Sequence, residues 1–114
     1  MYVNKLPDLA TLNERFEIDP SCRSGLRWKI NPSGPWACKG DPTGGLNSGG
    51  YYQTKVNGTL YYNHRLVWKM TTGNDPVNVI DHIDGDTSNN AFSNLQDITQ
   101  AQNLRKKAGE VIAA

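Results

Sequence analysis

The alternation of apolar and polar positions divides the chain into short elements. Apolar residues spaced three, three and four apart, and followed by Asp19-Pro20, predict a short amphipathic helix near the N-terminus: Leu6, Leu9, Leu12 and Phe16. Residues 26–30 alternate between apolar and polar types, which indicates a half-buried strand. Residues 31–50 contain six glycines and three prolines, so we expect a long loop there rather than a regular element.

A β-hairpin is predicted around Asn57-Gly58. The flanking residues 51–56 and 59–62 are rich in tyrosine and threonine, which favour strands. The Asn-Gly pair favours a two-residue turn because both turn positions need positive φ. A helix is predicted next over residues 64–70, with one apolar face, and it should end before Gly73.

The C-terminal third predicts a strand, a second strand and a helix. A short strand over residues 77–80 runs directly into Asp81-His82, and residues 95–98 can return as the second strand of an irregular hairpin. Thr99 and Gln102 have the spacing of a capping box, so we expect a helix to start there, and Gly109 is well placed to end it.

Length and composition limit the class of protein. A chain of 114 residues forms one small domain with a modest core. Its longest apolar runs are only a few residues, so no membrane span is predicted, and its first residues lack the pattern of a secretory signal. Cys22 and Cys38 are far apart, and we expect reduced thiols rather than a disulfide or half of a zinc site. These features indicate a cytoplasmic protein.

The net charge of +1 conceals a segregation of charge along the chain. Residues 22–70 contain seven basic residues against one aspartate, whereas residues 71–97 contain five aspartates and no lysine or arginine. A basic sheet region beside an acidic pocket suits a metal-dependent enzyme that acts on a polyanion, although an unevenly charged solvated surface has the same signature. The candidate contacts to nucleic acid are Arg27, Lys29, Lys55, Arg65, Lys69, Arg105 and Lys106.

Several of these candidates have a second interpretation. Arg65 and Lys69 share a helix face that either contacts phosphate or is simply solvated. His64 is either a buried histidine at the helix start or a phosphate contact. We expect the tryptophans in the core, with the exception of Trp36 in the glycine-rich loop, which could stack on a base.

The candidate chemistry is concentrated in Asp81, His82, Asn94 and Asn103. A neutral imidazole can take a proton from water, and a carboxamide such as Asn94 can orient its ring. One carboxylate and one amide oxygen, with water and phosphate oxygens, suit Mg²⁺ or Mn²⁺ rather than a structural zinc. Taken singly, such residues are more often turn or surface groups. Asp84-Gly85-Asp86 could begin a calcium loop, but the required glycine and glutamate at the sixth and twelfth positions are missing.

The same region resembles the signature of the HNH endonuclease family, in the variant with asparagine at the second and third positions. The residues that carry the likeness are Ile80-Asp81-His82-Ile83-Asp84-Gly85-Asp86, Asn89-Asn90, Asn94-Leu95 and Asn103. Their spacing is that of phage-type HNH homing endonucleases. The likeness extends upstream through Ser24-Gly25-Leu26-Arg27-Trp28, Gly50-Tyr51, His64-Arg65-Leu66-Val67-Trp68 and Gly73.

The resemblance implies a role for each member of the quartet. His82 would be the general base, oriented by Asn94. Asp81 and Asn103 would hold one divalent cation, Mg²⁺ or Mn²⁺, and no structural zinc is expected.

The resemblance also implies a fold and a function. The fold is expected to be a small α+β single domain, with an antiparallel β-hairpin and a ββα-metal motif of the His-Me finger type over about residues 77–108. Residues 22–114 would form the HNH endonuclease domain and residues 1–21 an N-terminal helical segment. The implied activity is metal-dependent hydrolysis of duplex DNA by a phage-encoded nicking or homing enzyme. The alternative is a non-cutting DNA-binding or packaging-associated module. DNA is the implied partner, and a homodimer or the phage packaging machinery are further candidates.

Overall fold

The structure, a computed structural model, describes residues 5–32, 34 and 37–107, and for residues 105–107 it describes the backbone. Strands and helices in this part are short and follow one another closely. The helices are Leu9–Arg15 (α1), Asn63–Thr72 (α2) and Gln100–Lys107 (α3), and the strands are Phe16–Ile18 (β1), Leu26–Trp28 (β2), Gly45–Leu46 (β3), Tyr52–Val56 (β4), Thr59–Tyr62 (β5), Val79–His82 (β6) and Leu95–Ile98 (β7). This composition confirms the predicted α+β class.

Helix α1 is shorter than the apolar spacing predicted. Asp8 caps it, since its carboxylate accepts a hydrogen bond from the Thr11 N–H at 2.8 Å. The helix stops at Arg15 because Phe16 turns into strand β1, which pairs antiparallel with β2. Phe16 keeps the apolar spacing and still reaches the core, so the sequence pattern alone could not distinguish the two conformations.

The predicted hairpin is confirmed at Asn57-Gly58. Both residues have positive φ, 50° and 85°, and they join β4 to β5 as a two-residue turn. Strand β3, which lies in the segment predicted as loop, pairs with the other edge of β4, so the hairpin becomes part of a three-stranded sheet. A strand of two residues, one of them a glycine, is too short to show an alternation of apolar and polar positions.

Helix α2 packs at the centre of the molecule. It ends where predicted, because Gly73 adopts a left-handed conformation with φ 82° and its N–H donates to the Lys69 carbonyl. Leu66 and Val67 on this helix are fully buried. The core draws on nearly every element of the described chain: Leu6, Leu12, Phe16, Leu26, Val56, Leu66, Val67, Ile80 and Leu95.

The C-terminal ββα unit has the predicted order. Strand β6 pairs antiparallel with β7, and α3 follows directly. The Thr99 N–H donates to Gln102 Oε1 at 3.0 Å and the Gln102 N–H donates to Thr99 Oγ1 at 3.1 Å, which confirms the capping box. The predicted helix end at Gly109 lies outside the described residues.

Residues on both sides of the predicted boundary between segments 1–21 and 22–114 share one core. Leu12 and Phe16 come from the first segment and pack with residues of α2 and β2. Both cysteine thiols are free, with Cys22 buried and Cys38 exposed. No helix in the described part of the chain is long and apolar enough to cross a membrane.

Candidate active site

His82 lies at the end of β6 with its ring buried, 4% exposed. Its Nε2 is 2.8 Å from Oδ1 of Asn90, a residue that is itself only 1% exposed. The Asn90 Nδ2 donates in turn to the Ser24 carbonyl at 3.4 Å. The ring is therefore held by a carboxamide that is anchored to another part of the fold.

Asn94, the residue predicted to orient His82, instead fixes the turn that follows it. Its Nδ2 donates to Asp84 Oδ1 at 2.9 Å and to the Asn89 carbonyl at 3.0 Å, while its Oδ1 accepts from the Asp84 N–H at 3.0 Å. These bonds occupy both ends of the amide. The side chain that contacts His82 is therefore that of Asn90. The Asn94 amide is instead directed toward the turn at Asp84, with which it forms its hydrogen bonds.

Asp81 is half-buried and faces Gln96 across the β6–β7 ladder. The Gln96 Nε2 donates to Asp81 Oδ2 at 2.9 Å. Adjacent residues on a strand point to opposite faces, so the side chains of Asp81 and His82 are directed apart. Gln96 did not emerge from the sequence, although the register of the predicted hairpin, once fixed, places it opposite Asp81.

Asn103 lies on the buried side of α3, 8% exposed. It sits one turn after Thr99, whose carbonyl accepts its N–H at 2.9 Å, and α3 contacts β6. Asp81 and Asn103 therefore belong to elements that touch. Among the described residues, no group of three or more His, Cys, Asp or Glu side chains could hold a metal ion.

Tyr51 and a second histidine, His64, contact the His82 ring. The His64 ring meets it edge-on, with centroids 5.0 Å apart and planes at 78°, and stacks on Tyr62 at 5.2 Å. Tyr51 contacts both histidines, at 5.9 Å and 6.2 Å. Burial, with the nearby His82 and Arg65 charges, lowers the pKa of His64 to about 3, so its ring is neutral at pH 7. Of the two interpretations of His64, the structure favours the buried histidine.

The two basic residues of α2 are inside the protein. Arg65 and Lys69 are each 7% exposed, and the Lys69 Nζ pairs with Asp75 at 2.8 Å. The solvated face is not present, because α2 is covered by other elements on that side. The phosphate contact stays a prediction, which this burial does not favour. The helical periodicity identified a polar face, but it could not show that Lys69 on this face pairs with Asp75.

The side chains of the remaining predicted nucleic-acid contacts differ in their exposure and in their partners within the protein. Arg27 pairs with Asp19, and hydrogen bonds from Ser21 and Arg27 lower the pKa of Asp19 to about 2. Lys29 is exposed, with its Nζ donating to the Asn13 carbonyl at 2.7 Å. Lys55 is exposed on β4. The predictions for the Arg105 and Lys106 side chains, and for Trp36, lie outside the described residues.

Most aspartates of residues 71–97 accept hydrogen bonds in turns or pair with basic side chains, and they do not line an open acidic pocket. Asp75 pairs with Lys69, and Asp86 pairs with Arg23 at 3.0 Å. Asp97 accepts the N–H groups of residues 77 and 78, both at 2.8 Å. Asp84 accepts from the Asp86 N–H at 2.7 Å. Most of these carboxylates therefore shape the backbone, which leaves Asp81 as the candidate ligand among them.

Comparison with known proteins supports the resemblance that the sequence carries. A family model described as HNH endonuclease matches residues 61–105, a range that includes α2 and most of the ββα unit. A solved structure of the HNH homing endonuclease I-HmuI, reported for DNA binding and cleavage, superposes with a TM-score of 0.60 at 20% sequence identity. The match covers 96% of this chain and 62% of that chain. No curated protein matches the chain.

These two findings confirm the HNH resemblance and the fold. The family match falls on the segment that contains Asp81, His82, Asn94 and Asn103. The structural match shows that the small α+β domain has the fold of an HNH homing endonuclease. This chain spans less than two thirds of that chain's length.

Proposed function

We propose that the chain is a divalent-metal-dependent DNA endonuclease that hydrolyses phosphodiester bonds with His82 as the general base. The observation that carries this proposal is the pairing of two adjacent residues with two different amides. Asp81 is held by Gln96 on one face of β6, and His82 is held by Asn90 on the other. A base and a ligand that are separately oriented, yet adjacent, suit attack on a phosphate.

His82 has the surroundings that a general base needs. The Asn90 hydrogen bond and the edge contact with His64 restrict the orientation of its ring. His64 is neutral at pH 7, so the residue in edge contact with the His82 ring carries no charge. In the proposed reaction, the His82 ring takes a proton from the attacking water.

The donor set of Asp81 and Asn103 fits a divalent cation. Both offer oxygen, which Mg²⁺ and Mn²⁺ prefer, and Gln96 holds one carboxylate oxygen of Asp81 in place. A site with one carboxylate and one amide oxygen suits a cation that keeps part of its water shell and also binds substrate phosphate. When bound, such a cation would stabilise negative charge on the leaving oxygen.

Substrate binding is proposed to depend mainly on phosphate contacts. Lys55 and Lys29 are exposed basic side chains in the described part of the chain, and both lie in its basic region. Affinity should therefore fall steeply with salt. One active site per chain cuts one strand, so we propose a nicking enzyme. Its phage origin rests on the resemblance to phage-type enzymes, and a homodimer or a packaging assembly would be needed for any paired cut.

A supercoiled-plasmid assay tests the proposal. The wild type should convert plasmid to open circle with Mg²⁺ or Mn²⁺ but not with EDTA, and His82→Ala should lower the rate about 10²–10⁴-fold. Asn78→Ala removes an exposed asparagine just before β6 and serves as the matched control, with an unchanged rate expected.

Each other outcome contradicts a specific part of the proposal. A gel shift without cleavage under any metal condition would indicate a non-cutting DNA-binding module. Prompt linear product would contradict nicking by single chains. Neither binding nor cleavage would show that duplex DNA is the wrong substrate class.

A further inference from the structure

The two rings that contact His82 differ in their burial. The His64 ring lies with its centroid 5.0 Å from that of His82, and His64 is only 2% exposed. The Tyr51 ring lies 6.2 Å from His82, and Tyr51 is half-buried rather than buried. Of these two rings, that of Tyr51 is therefore the one that a bound substrate can touch.

The backbone at Tyr51 is held by the loop that precedes β4. The Asn47 Oδ1 accepts the N–H groups of Gly49 at 2.8 Å and of Tyr51 at 3.1 Å. The Asn47 N–H donates to the Tyr51 carbonyl at 2.8 Å. Both backbone polar groups of Tyr51 are thus occupied within the loop, which limits its movement.

The same loop is tied to the turn that follows His82. Thr87 lies in this turn, and its Oγ1 donates to the Gly50 carbonyl at 2.7 Å. Gly50 has φ +86°, a conformation that favours glycine, and a Cβ added there would lie 3.3 Å from Thr87 Oγ1. The position of Tyr51 relative to His82 is therefore fixed through the backbone as well as through the contact between the rings.

Other aromatic rings hold the side chain of Tyr51 in place. The Tyr62 ring centroid lies 5.4 Å from that of Tyr51, and the His64 ring centroid lies 5.9 Å from it. The hydrogen bonds of Tyr51 with other described residues are made by its backbone, whereas a phenol hydroxyl can also donate one. The ring thus carries a preorganised donor that the described part of the chain does not use.

The proposed reaction supplies an acceptor for this donor. One water separates a general base from the phosphate that it attacks, so the phosphorus lies about 6 Å from the imidazole. A phosphate at that place is within reach of the hydroxyl of Tyr51, whose ring centroid is 6.2 Å from that of His82. Negative charge on the non-bridging oxygens changes during attack, and a fixed donor stabilises it most in the transition state.

We infer that Tyr51 contacts the substrate, with its hydroxyl donating a hydrogen bond to a non-bridging oxygen of the phosphate that is cleaved. This inference deepens the proposed function and rests on it for the role of His82. It assigns no proton transfer to Tyr51, because the water proton goes to His82. The contribution of Tyr51 is to stabilise charge on the phosphate and to fix its position.

Tyr51→Phe tests the inference because it removes the hydroxyl and keeps the ring contacts. We expect the single-turnover cleavage rate to fall about 10- to 100-fold, with DNA affinity changed by less than about 3-fold and an unchanged thermal melt. Tyr52→Phe makes the same change at the next residue, which is also half-buried, and is the matched control. Its cleavage rate should equal that of the wild type.

Sulfur substitution in the DNA distinguishes a phosphate contact from a structural role. Once the nick site of the wild type is mapped, substrates are prepared with sulfur in place of either non-bridging oxygen of the cleaved phosphate. Sulfur accepts hydrogen bonds weakly, so one of the two should be cut more slowly by the wild type, without recovery in Mn²⁺. The same sulfur should slow Tyr51→Phe little further. Equal sulfur effects in both proteins would show that the hydroxyl is structural and would overturn the inference.

The remaining outcomes separate this inference from the proposed function. An unchanged rate for Tyr51→Phe beside an active wild type would overturn the inference and leave the nuclease proposal intact. Weaker DNA binding at an unchanged rate would also overturn it, because the hydroxyl would then contact a phosphate that is not cleaved. A wild type that cuts no DNA with any metal would contradict the proposed function, and the inference with it.

Discussion

Asp81 and Gln96 face each other across the β6–β7 ladder, and the Gln96 amide donates to one carboxylate oxygen of Asp81 at 2.9 Å. Gln96 is 8% exposed and Asp81 is half-buried, so this contact is partly shielded from water. A carboxylate that is held by a buried donor keeps one orientation without side-chain reordering when a cation binds. The relationship makes Gln96 the natural test of the proposed metal site.

Gln96→Leu removes the donor while keeping a buried side chain of similar size. We expect the Mg²⁺ concentration for half-maximal cleavage to rise about 10-fold or more, because the carboxylate of Asp81 loses its support. The measurement is a cleavage titration with Mg²⁺, accompanied by a thermal melt. An unchanged Mg²⁺ requirement in a folded variant would argue against Asp81 as a ligand.

Lys69→Met is expected to lower stability and not DNA affinity. It leaves the half-exposed Asp75 without its partner, at a cost of about 1–3 kcal/mol, less than for a fully buried pair because Asp75 remains partly hydrated. Urea denaturation measures the first effect and a salt-dependent gel shift the second. Lys55→Met is the matched control, for which we expect weaker DNA binding and nearly unchanged stability. Weaker DNA binding by folded Lys69→Met would restore Lys69 as a phosphate contact.

His64 should make stability depend on pH. Its pKa is about 3 in the folded protein against an ordinary value of 6.5, so folded His64 resists a proton that the unfolded chain accepts. The stability is fully present above pH 6.5 and declines as the pH falls toward 3, with a slope of up to about 1.4 kcal/mol per pH unit.

Urea denaturation at a series of pH values, for wild type and His64→Phe, measures this contribution. The phenylalanine variant should have a flatter profile in this window because it has no proton to gain. Carboxylates with lowered pKa values, such as Asp19 and Asp86, lose their contribution mainly below about pH 4 and do not obscure the difference. Parallel profiles for the two proteins would contradict the burial cost assigned to His64.

Asn94→Ala is expected to lower the stability of the protein more than it lowers the cleavage rate of the folded variant. The variant removes three hydrogen bonds of the turn at Asp84, which should cost about 1–3 kcal/mol. Thermal melts and single-turnover rates at a temperature where the variant is folded separate the two effects. We expect its rate to fall less than that of Asn90→Ala. The reverse order would return the orienting role to Asn94.

Features encoded by neighbouring residues could be predicted from the sequence. The Asn57-Gly58 turn and the Thr99–Gln102 capping box depend on backbone preferences within four residues, and both formed as expected. Pairing between distant segments was not predictable in this way. Strand β1 exists because Phe16–Ile18 finds a partner in β2, and periodicity contains no information about that partner.

In the candidate site, too, residues encoded locally could be predicted and contacts between distant segments could not. Asp81 and His82 could be identified because they are adjacent and belong to a spaced signature. The partner of His82 could not, because Asn90 and Asn94 are both asparagines after the same turn, and the selection between them depends on the distant Ser24 carbonyl. The burial of Lys69 likewise depends on Asp75, which lies beyond the end of its helix.

The contact between the Ser24 carbonyl and the Asn90 amide limits which proteins could accept the ββα unit as a graft. A graft of residues 77–107 onto another scaffold would carry Asp81, His82 and Asn90, but not the loop that anchors the Asn90 amide. The recipient would need an equivalent acceptor at the same place for the imidazole to keep its orientation. The transfer of this ββα unit to another protein therefore depends on a backbone oxygen more than fifty residues upstream, and exchange between proteins would favour segments that include both.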